Sequence, residues 1–346
     1  MILNNYLFNF SASHSGGGYK RLNAFSNYFD KNGGANFIVN TKLTGIEDIY
    51  KNNKYFFISE NKLERFFNFS FKFKKVIDNF PELLFYYSYG IPINKKIGKL
   101  NWFHISNVLP FQFKNLYIPF KRQIELLILR IQIQKSINIP NFISVESLNS
   151  FKYFNNNNIK EKLIISVNGS DDEIAHYRSG IKKNDIQNYE YAITVGTYFY
   201  KCIDDVYKVY KKLSETKKNL YLIIVGSKNM IPKDILQDKF VIVKGILNQQ
   251  DVCNLLIHSN YYITCSLIEN SYNAASEGVF LSKESYISKI GPHIELLKDI
   301  NYDTITNFET RLPLLKVSQS NLNVSNLKSW NYIINDMLNI LNNAKK

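Results

Sequence analysis

Two glutamates eight positions apart, Glu269 and Glu277, lie in the chemically densest stretch of the chain, TCSLIENSYNAASEGVFLSKESYISKIGPHIELL (264–297). The stretch follows an apolar, β-rich run, YYIT (261–264), and turns through a polar elbow from Ser266 to Asn270. Small, helix-compatible residues come next. A strand, a polar turn and a helix start form the arrangement on which α/β proteins hold phosphate, because the exposed N–H groups and the dipole of the helix favour an anion. With a helix beginning near Tyr272, the residues Ser271, Tyr272, Asn273 and Ala274 make the anion-facing turn. Glu277 then falls on the second turn, while Glu269 stays on the loop. One carboxylate can reach a sugar ring and the other the hydroxyls of a ribose, with a diphosphate between them on the helix amides.

Two carboxylates at this spacing more often mark a solvated helix face. The surrounding run IENSYNAASEG…ESYISKIGPHIELL gives the pair its weight. Glu269 and Glu277, reached through Ser266, resemble the Glu-x7-Glu signature of retaining glycosyltransferases of family 4. The longer run is similar to bacterial members that build O-antigen and capsular polysaccharides. The resemblance implies an α/β, GT-B fold, with two Rossmann-like domains, a cleft between them and a C-terminal helix crossing back to the first. It also implies transfer of a sugar from a nucleotide sugar to a hydroxyl of a glycan or lipid-linked acceptor, with retention at the anomeric carbon and no metal or other cofactor. The chain departs from the pattern in one place: most relatives have Gly-Phe-Gly after the first glutamate, and here Asn270-Ser271-Tyr272-Asn273 stand instead.

Three further positions carry candidate chemistry. Gly16, Gly17 and Gly18 lie between a first strand and the segment YKRLNAFSNYF, where glycines let backbone approach an anion closely. The apolar run NWFHI delivers His104 to a strand's C-terminal end, where open α/β sheets place ligands. Lys201 follows the strand YAITVG and the loop after it. By resemblance, the glycines face the donor phosphates or the acceptor, His104 meets the donor sugar as a catalytic partner of Glu269, and Lys201 meets the pyrophosphate. Relatives usually add an arginine after the first glycine; here the residue is Thr197. By the same resemblance, the backbone of Gly245-Ile246-Leu247 reads the nucleotide base.

The elements that must position these residues follow from periodicity. Strands are expected at ILNNYLFNF, NFIVN, KYFFIS, NWFHI, IPNFISVESL and EKLIISVNG, and a basic aromatic helix near 62–79. A long amphipathic helix is expected over 120–137, with its Leu/Ile face in the core. Asn168-Gly169 resembles the turn before the family's interdomain linker. The polar stretch 170–190 breaks the β/α rhythm and marks a boundary. We expect an acceptor-binding domain over 1–175, a nucleotide-sugar domain over 176–325 and a returning helix over 326–346. In the second, YAITVG, NLYLIIVGS and KFVIVKGIL alternate with helices, which argues for a parallel sheet.

At 346 residues, 45% hydrophobic and 21% charged, the chain suits two soluble globular domains. No run approaches the roughly 20 apolar residues of a spanning helix. The N-terminus lacks a basic region and cleavage site, so no signal peptide is expected and the cytoplasm is the expected location. Cys202, Cys253 and Cys265 are too few and too scattered for a disulfide framework or zinc site. The cluster Asp171-Asp172-Glu173 is not an Asp-x-Asp metal motif. Of the net charge of +14, nearly all sits in residues 1–170, with 22 Lys+Arg against 10 Asp+Glu; residues 171–346 hold 21 against 19. A basic half with interleaved aromatics, as in RFFNFSFKFKK (65–75), suits peripheral contact with an anionic inner-membrane leaflet. A non-catalytic protein binding nucleotides or nucleic acid is the competing reading, although no nucleic acid is expected on the first. A sugar-nucleotide epimerase would need a second acid/base pair that is not apparent, and an inactive scaffold would follow if the departures at Thr197 and 270–273 disable the site.

Overall fold

Strand-forming sequence is concentrated in short aromatic or β-branched runs such as YLFN, NFIVN, LYLIIV and YYIT, and most of these are buried on both faces. Such runs belong to sheets covered by helices on either side. The computed structural model describes residues 5–59, 71–113, 116, 118–155, 159–169, 174, 190–217, 219–319 and 327–344. The chain divides into two compact units, Met1–Gly169 with Trp330–Lys346, and Ser170–Ser329. Helices of six or more residues among those described are α1 (Gly16–Lys31), α2 (Phe71–Ile77), α3 (Phe120–Ser136), α4 (Ile203–Ser214), α5 (Gln249–Ile257), α6 (Asn273–Leu281), α7 (Gly291–Leu296) and α8 (Trp330–Asn343). Half of the expected basic helix (62–70), three of the four asparagines at 155–158, the acidic cluster 171–173 and nearly all of the polar stretch 170–190 lie outside the described residues.

In the first unit the strands are β1 (Tyr6–Asn9), β2 (Asn36–Asn40), β3 (Lys54–Ile58), β4 (Phe85–Tyr89), β5 (Leu100–Ile105), β6 (Phe142–Val145) and β7 (Leu163–Ile165). Their order is β3-β2-β1-β4-β5-β6-β7, and every pairing is parallel. Phe8 lies at the centre of the core, with Phe25, Phe29, Phe37, Phe85 and Tyr87 at 4.7–5.8 Å between ring centroids. Tilted and edge-to-face pairs of this kind add about 0.5–1.5 kcal/mol each beyond the area they bury. Helix α8 supplies Ile334, Met337 and Leu341 to this same cluster beside Leu22, Phe25 and Phe29 of α1. Tyr28 Oη donates to Asn335 Oδ1 at 2.5 Å. The C-terminal helix thus belongs to the first unit, as the GT-B resemblance implies.

Helix α3 departs from expectation. Only Leu126, Ile133 and Ser136 are buried, while Phe120, Ile124, Leu127, Ile128 and Ile131 are 38–76% exposed. The apolar residues spread around more than one face, so part of them is buried and the rest form an outward stripe.

In the second unit the strands are β8 (Glu190–Val195), β9 (Leu220–Val225), β10 (Val241–Gly245), β11 (Tyr261–Thr264), β12 (Glu284–Ser288), β13 (Asp303–Ile305) and β14 (Leu314–Ser318), in the order β10-β9-β8-β11-β12-β14-β13. The first five are parallel; β14 runs antiparallel to both β12 and β13. The parallel expectation therefore holds for the core of this sheet and fails at its edge. The link 306–313 is too short for a crossover, which takes a dozen or more residues, and it returns as an antiparallel pair. Helix α4 covers one face of the sheet with Ile203, Val206 and Val209, and α5 and α6 cover the other with Val252, Leu256, Ala275 and Val279.

Helix α6 lies close to the sheet because Gly278 has no side chain: a Cβ there would stand 2.1 Å from Tyr262 Cδ1. Neither the ring, buried in β11, nor the helix backbone can yield cheaply. Gly278→Ala is expected to destabilise the protein by about 1–3 kcal/mol through overpacking, read as a lower urea midpoint at unchanged slope.

Candidate functional site

Each sheet reverses its strand order once, between β1 and β4 in the first unit and between β8 and β11 in the second. Loops leaving the C-terminal ends of strands at such a reversal diverge to opposite faces and leave a crevice, the usual ligand position in open α/β sheets. In the second unit Lys201 follows β8 and Glu269 follows β11, one on each side of the reversal. Lys201 Nζ lies 2.5 Å from Glu269 Oε1, with side chains only 8% and 18% exposed. Leu267 N also donates to Tyr200 O at 2.9 Å, so the two loops are joined by backbone as well. The sequence suggested separate partners for these side chains, pyrophosphate and sugar; in the structure they hold each other.

The turn beside them has the expected form. Tyr272 is the N-terminal boundary residue of α6 and makes no side-chain capping bond. Ser271, Tyr272, Asn273 and Ala274 are half-buried, and Glu277 is buried on the second turn. Gly196 ends β8 with φ +90, and the Lys201 side chain passes over it, with Cε 3.4 Å from where a Cβ would sit. Thr197 is buried against Gly226, whose absent Cβ would stand 2.6 Å from it. The position after the first glycine is therefore a packing contact between the β8 and β9 loops, and it carries no second cation.

His293 is a residue the sequence analysis did not single out. It lies on α7, past the end of β12, and is fully buried. Its Nδ1 is 2.7 Å from Ser288 O and 3.4 Å from Ser288 Oγ, and Ser288 Oγ donates to Ser266 O at 2.6 Å. Burial pushes its pKa down to about 4; the nearby Glu269 charge and the Ser288 carbonyl oppose this, and Lys201 adds to it. The adjacent strands β8, β11 and β12 thus each send one titratable side chain, Lys201, Glu269 and His293, from the same end of the sheet. The signal in the sequence was the histidine in KIGPHIELL, directly after a strand.

In the first unit the equivalent strand ends carry a buried polar network. Arg21 of α1 reaches His104 Nε2 at 3.1 Å, Ser166 Oγ at 2.5 Å and Asn168 Oδ1 at 3.3 Å, and approaches Glu146 Oε1 at 3.9 Å. Its guanidinium also lies 5.7–5.8 Å from the ring centroids of Phe25, Tyr89 and Trp330. His104 stacks on Tyr89 at 4.9 Å, and its Nδ1 meets Ser144 Oγ at 2.7 Å while its Nε2 also lies 3.2 Å from Glu146 Oε1. Both ring nitrogens are engaged in either tautomer. The strand end presents His104 inward to this network, and sequence reasoning missed its partners Arg21 and Glu146. Glu146, directly after β6, had the same strand-end signature as His104. The glycines open α1 itself: Gly16, with φ +62, and Gly17 are exposed, and a Cβ on Gly18 would press on Ser13 Oγ at 2.9 Å and Tyr89 at 3.0 Å. They form a helix's first turn, where the sequence suggested a loop ahead of it.

Burial and the Arg21 charge hold the His104 pKa down at about 4 as well. Burial alone would raise Glu146, but the hydrogen bond from His104, the Arg21 charge and the Tyr89 hydroxyl hold it below the usual carboxylate range. All three shifts act in one direction on stability. Below pH 6.5 the unfolded histidines take up protons that the folded ones refuse until about pH 4, so stability falls across that window as pH falls. Each histidine is expected to remove on the order of 2 kcal/mol at pH 5 relative to pH 7. Urea midpoints at the two pH values measure this; equal midpoints would contradict neutral burial.

A cavity of about 520 Å³, lined by Tyr191, Ile223, Ile242, Leu247 and Leu255 among others, runs along the flank of α5. It shares no residue with the strand-end set. Among the described residues no group of three or more His, Cys, Asp or Glu is placed to hold a metal ion, and no helix is long and apolar enough to cross a membrane.

Two doubly wound units in one chain, the first completed by a C-terminal helix, constitute the GT-B fold. No protein-family model and no curated protein sequence matches the chain. Solved structures share its fold: HepE of Anabaena in complex with UDP-glucose, at 14% identity and TM-score 0.59 over 84% of this chain and 82% of that one. WaaG, a glycosyltransferase involved in lipopolysaccharide biosynthesis, superposes with TM-score 0.61 at 11% identity over 85% and 84% of the two chains. Sucrose-phosphate synthase of Thermosynechococcus elongatus does so with 0.58 at 9% identity over 83% and 81%.

Proposed function

We propose that the chain is a glycosyltransferase of the retaining, metal-independent kind, moving a sugar from a nucleotide sugar to a hydroxyl of a glycan or lipid-linked acceptor in surface polysaccharide assembly. The observation that carries this is the Lys201–Glu269 pair, set on either side of a strand-order reversal next to the uncapped start of α6. Breaking a sugar–diphosphate bond requires stabilising negative charge on the leaving diphosphate and positive charge on the ring. Lys201 and the first amides of α6, at Asn273 and Ala274, meet the former; preorganised donors of this kind supply much of an enzyme's rate enhancement. Glu269 turns from Lys201 to the hydroxyls of the sugar, and Glu277 holds the ribose. Neighbours of the same fold include a complex with UDP-glucose, which makes a UDP-sugar the first donor to test. In the first unit the exposed Gly16 and Gly17, with the half-buried Gly18 after them, offer backbone to a phosphate or a hydroxylated acceptor, and His104 holds the network behind them.

The test is a thermal-shift screen against UDP-, GDP-, ADP- and CMP-sugars without added metal. A ligand of the folded state at 100 times its dissociation constant adds about 2.7 kcal/mol. A shift with one nucleotide series supports the donor site; no shift with any of them overturns it.

The outward stripe of α3 adds a location to this reading. Phe120, Ile124, Leu127, Ile128 and Ile131 share the helix with Lys121, Arg122, Arg130 and Lys135, the composition of a helix lying in an anionic interface. Cosedimentation with vesicles containing phosphatidylglycerol is expected to fall at least several-fold for Ile124→Ser combined with Ile131→Ser, and to remain weak for neutral vesicles.

A further inference from the structure

The chemical class of group that meets His293 follows from which of its nitrogens is already spoken for. Nδ1 stands 2.7 Å from the carbonyl oxygen of Ser288. A carbonyl only accepts, so Nδ1 carries the proton. Burial beside Lys201 keeps the ring neutral, and a neutral imidazole with a proton on Nδ1 has only a lone pair at Nε2. Ser288 fixes the ring doubly, because its own hydroxyl is tied to Ser266 O at 2.6 Å, on the loop that leads to Glu269. Among the described residues, both hydrogen bonds of His293 use Nδ1 and point back to Ser288. Nε2 lies on the other side of the ring from that contact.

An Nε2 lone pair repels phosphate oxygens, which offer no hydrogen at neutral pH. It matches a group that donates. Lys201 donates too, but in the reading above its ammonium faces the diphosphate. A sugar hydroxyl supplies the required O–H. We propose that His293 is a specificity-determining residue of the donor site, its Nε2 accepting a hydrogen bond from one hydroxyl of the transferred sugar while Glu269 takes others. This rests on the nucleotide-sugar reading above. The two groups divide the work: the carboxylate accepts from any pair of neighbouring hydroxyls, while the imidazole, locked by Ser288, accepts in one direction only. A sugar lacking the hydroxyl at that place, or carrying it in the opposite configuration, leaves the lone pair buried without a partner. A buried polar group without a partner discriminates strongly between analogues.

His293→Asn separates this role from a structural one. The Asn amide N–H can occupy the place of Nδ1–H and keep the Ser288 contact, while nothing remains at the position of Nε2. His293→Gln does the reverse and keeps an acceptor at the outer edge. Titration calorimetry would follow the free nucleoside diphosphate, the donor found by the screen (UDP-glucose tried first) and that donor's monodeoxy analogues. For the wild type, one deoxy position is expected to weaken binding about tenfold, the worth of one neutral hydrogen bond. His293→Asn should bind the nucleoside diphosphate within twofold of wild type, bind the intact donor about tenfold more weakly, and lose nothing further with that deoxy analogue. His293→Gln should retain the deoxy penalty in part. An Asn variant that still shows the full penalty, or a Gln variant that loses as much as Asn, overturns the assignment. If the Asn variant does not fold, the Gln variant decides alone: a folded Gln variant that keeps part of the deoxy penalty supports the assignment, and one with no deoxy penalty overturns it. A wild type that binds no nucleotide sugar defeats the donor-site reading itself, which is a different result from a donor that binds and ignores His293.

Discussion

Glu269→Gln is expected to lower the transfer rate by about 10²–10³, the scale seen when one preorganised polar contact to a transition state is removed, while the affinity for free nucleoside diphosphate stays level or rises a few-fold. The two effects move oppositely because of the resting geometry. The Glu269 carboxylate holds Lys201 Nζ at 2.5 Å, so on the proposed reading a diphosphate has to displace it. A neutral amide of the same shape holds the ammonium far less strongly and leaves it available to the anion. It holds the hydroxyls of a sugar developing positive charge less well. Lys201→Ala should show the reverse of the binding effect, with a weaker diphosphate. Single-turnover rates and diphosphate titrations on the same preparations make the comparison. Normal transfer by Glu269→Gln would remove this residue from the reaction.

The second large effect is on stability. Arg21→Met should cost about 3–5 kcal/mol, the penalty for taking one partner from a buried ionic cluster. Arg21 is buried among Phe25, Tyr89 and Trp330 and serves Ser166, Asn168 and His104. Its loss leaves Glu146 ionised at 4% side-chain exposure without the guanidinium. Adding Glu146→Gln to Arg21→Met is expected to restore part of the loss, because the uncompensated charge goes with it. Urea unfolding of the two single variants and the double variant closes the cycle. Additive losses would show that Glu146 does not depend on Arg21.

Much of the fold was legible because its strands are short apolar runs punctuated by glycine and polar turns. NFIVN, LYLIIV and YYIT appear as strands, and the returning helix at Trp330–Asn343 could be read from its periodicity. The antiparallel edge was not legible: LLKVS and DTI are no different in composition from parallel strands, and direction depends on the length of a link whose ends had not been recognised. Periodicity placed α3 correctly but not the burial of its apolar face, since a stripe of Leu and Ile looks alike whether a sheet or solvent lies beyond it.

In the site, the loop positions of Lys201 and Glu269 could be inferred from motif and strand order, but their mutual contact could not. It depends on where two loops from different strands come to rest. His104 shows the limit most clearly. A strand end places a side chain near a crevice without saying whether a neighbour fills the space, and here Arg21, from a helix 83 positions away, does. His293 was missed for the opposite reason: the short helix that carries it has no periodic signature.

On the proposed function, the closed Lys201–Glu269 pair sets two requirements that a ligand must meet together. A bare anion such as inorganic phosphate satisfies the ammonium but strands a mostly buried carboxylate. A free sugar satisfies the carboxylate but strands the ammonium. Only a molecule carrying negative charge and hydroxyls on the same skeleton, at a spacing that matches the two loops, releases both partners without leaving either unpaired. If the pair is the donor site proposed above, small ions and free sugars are expected to be turned away by an internal contact 2.5 Å long, before the shape of any pocket is consulted.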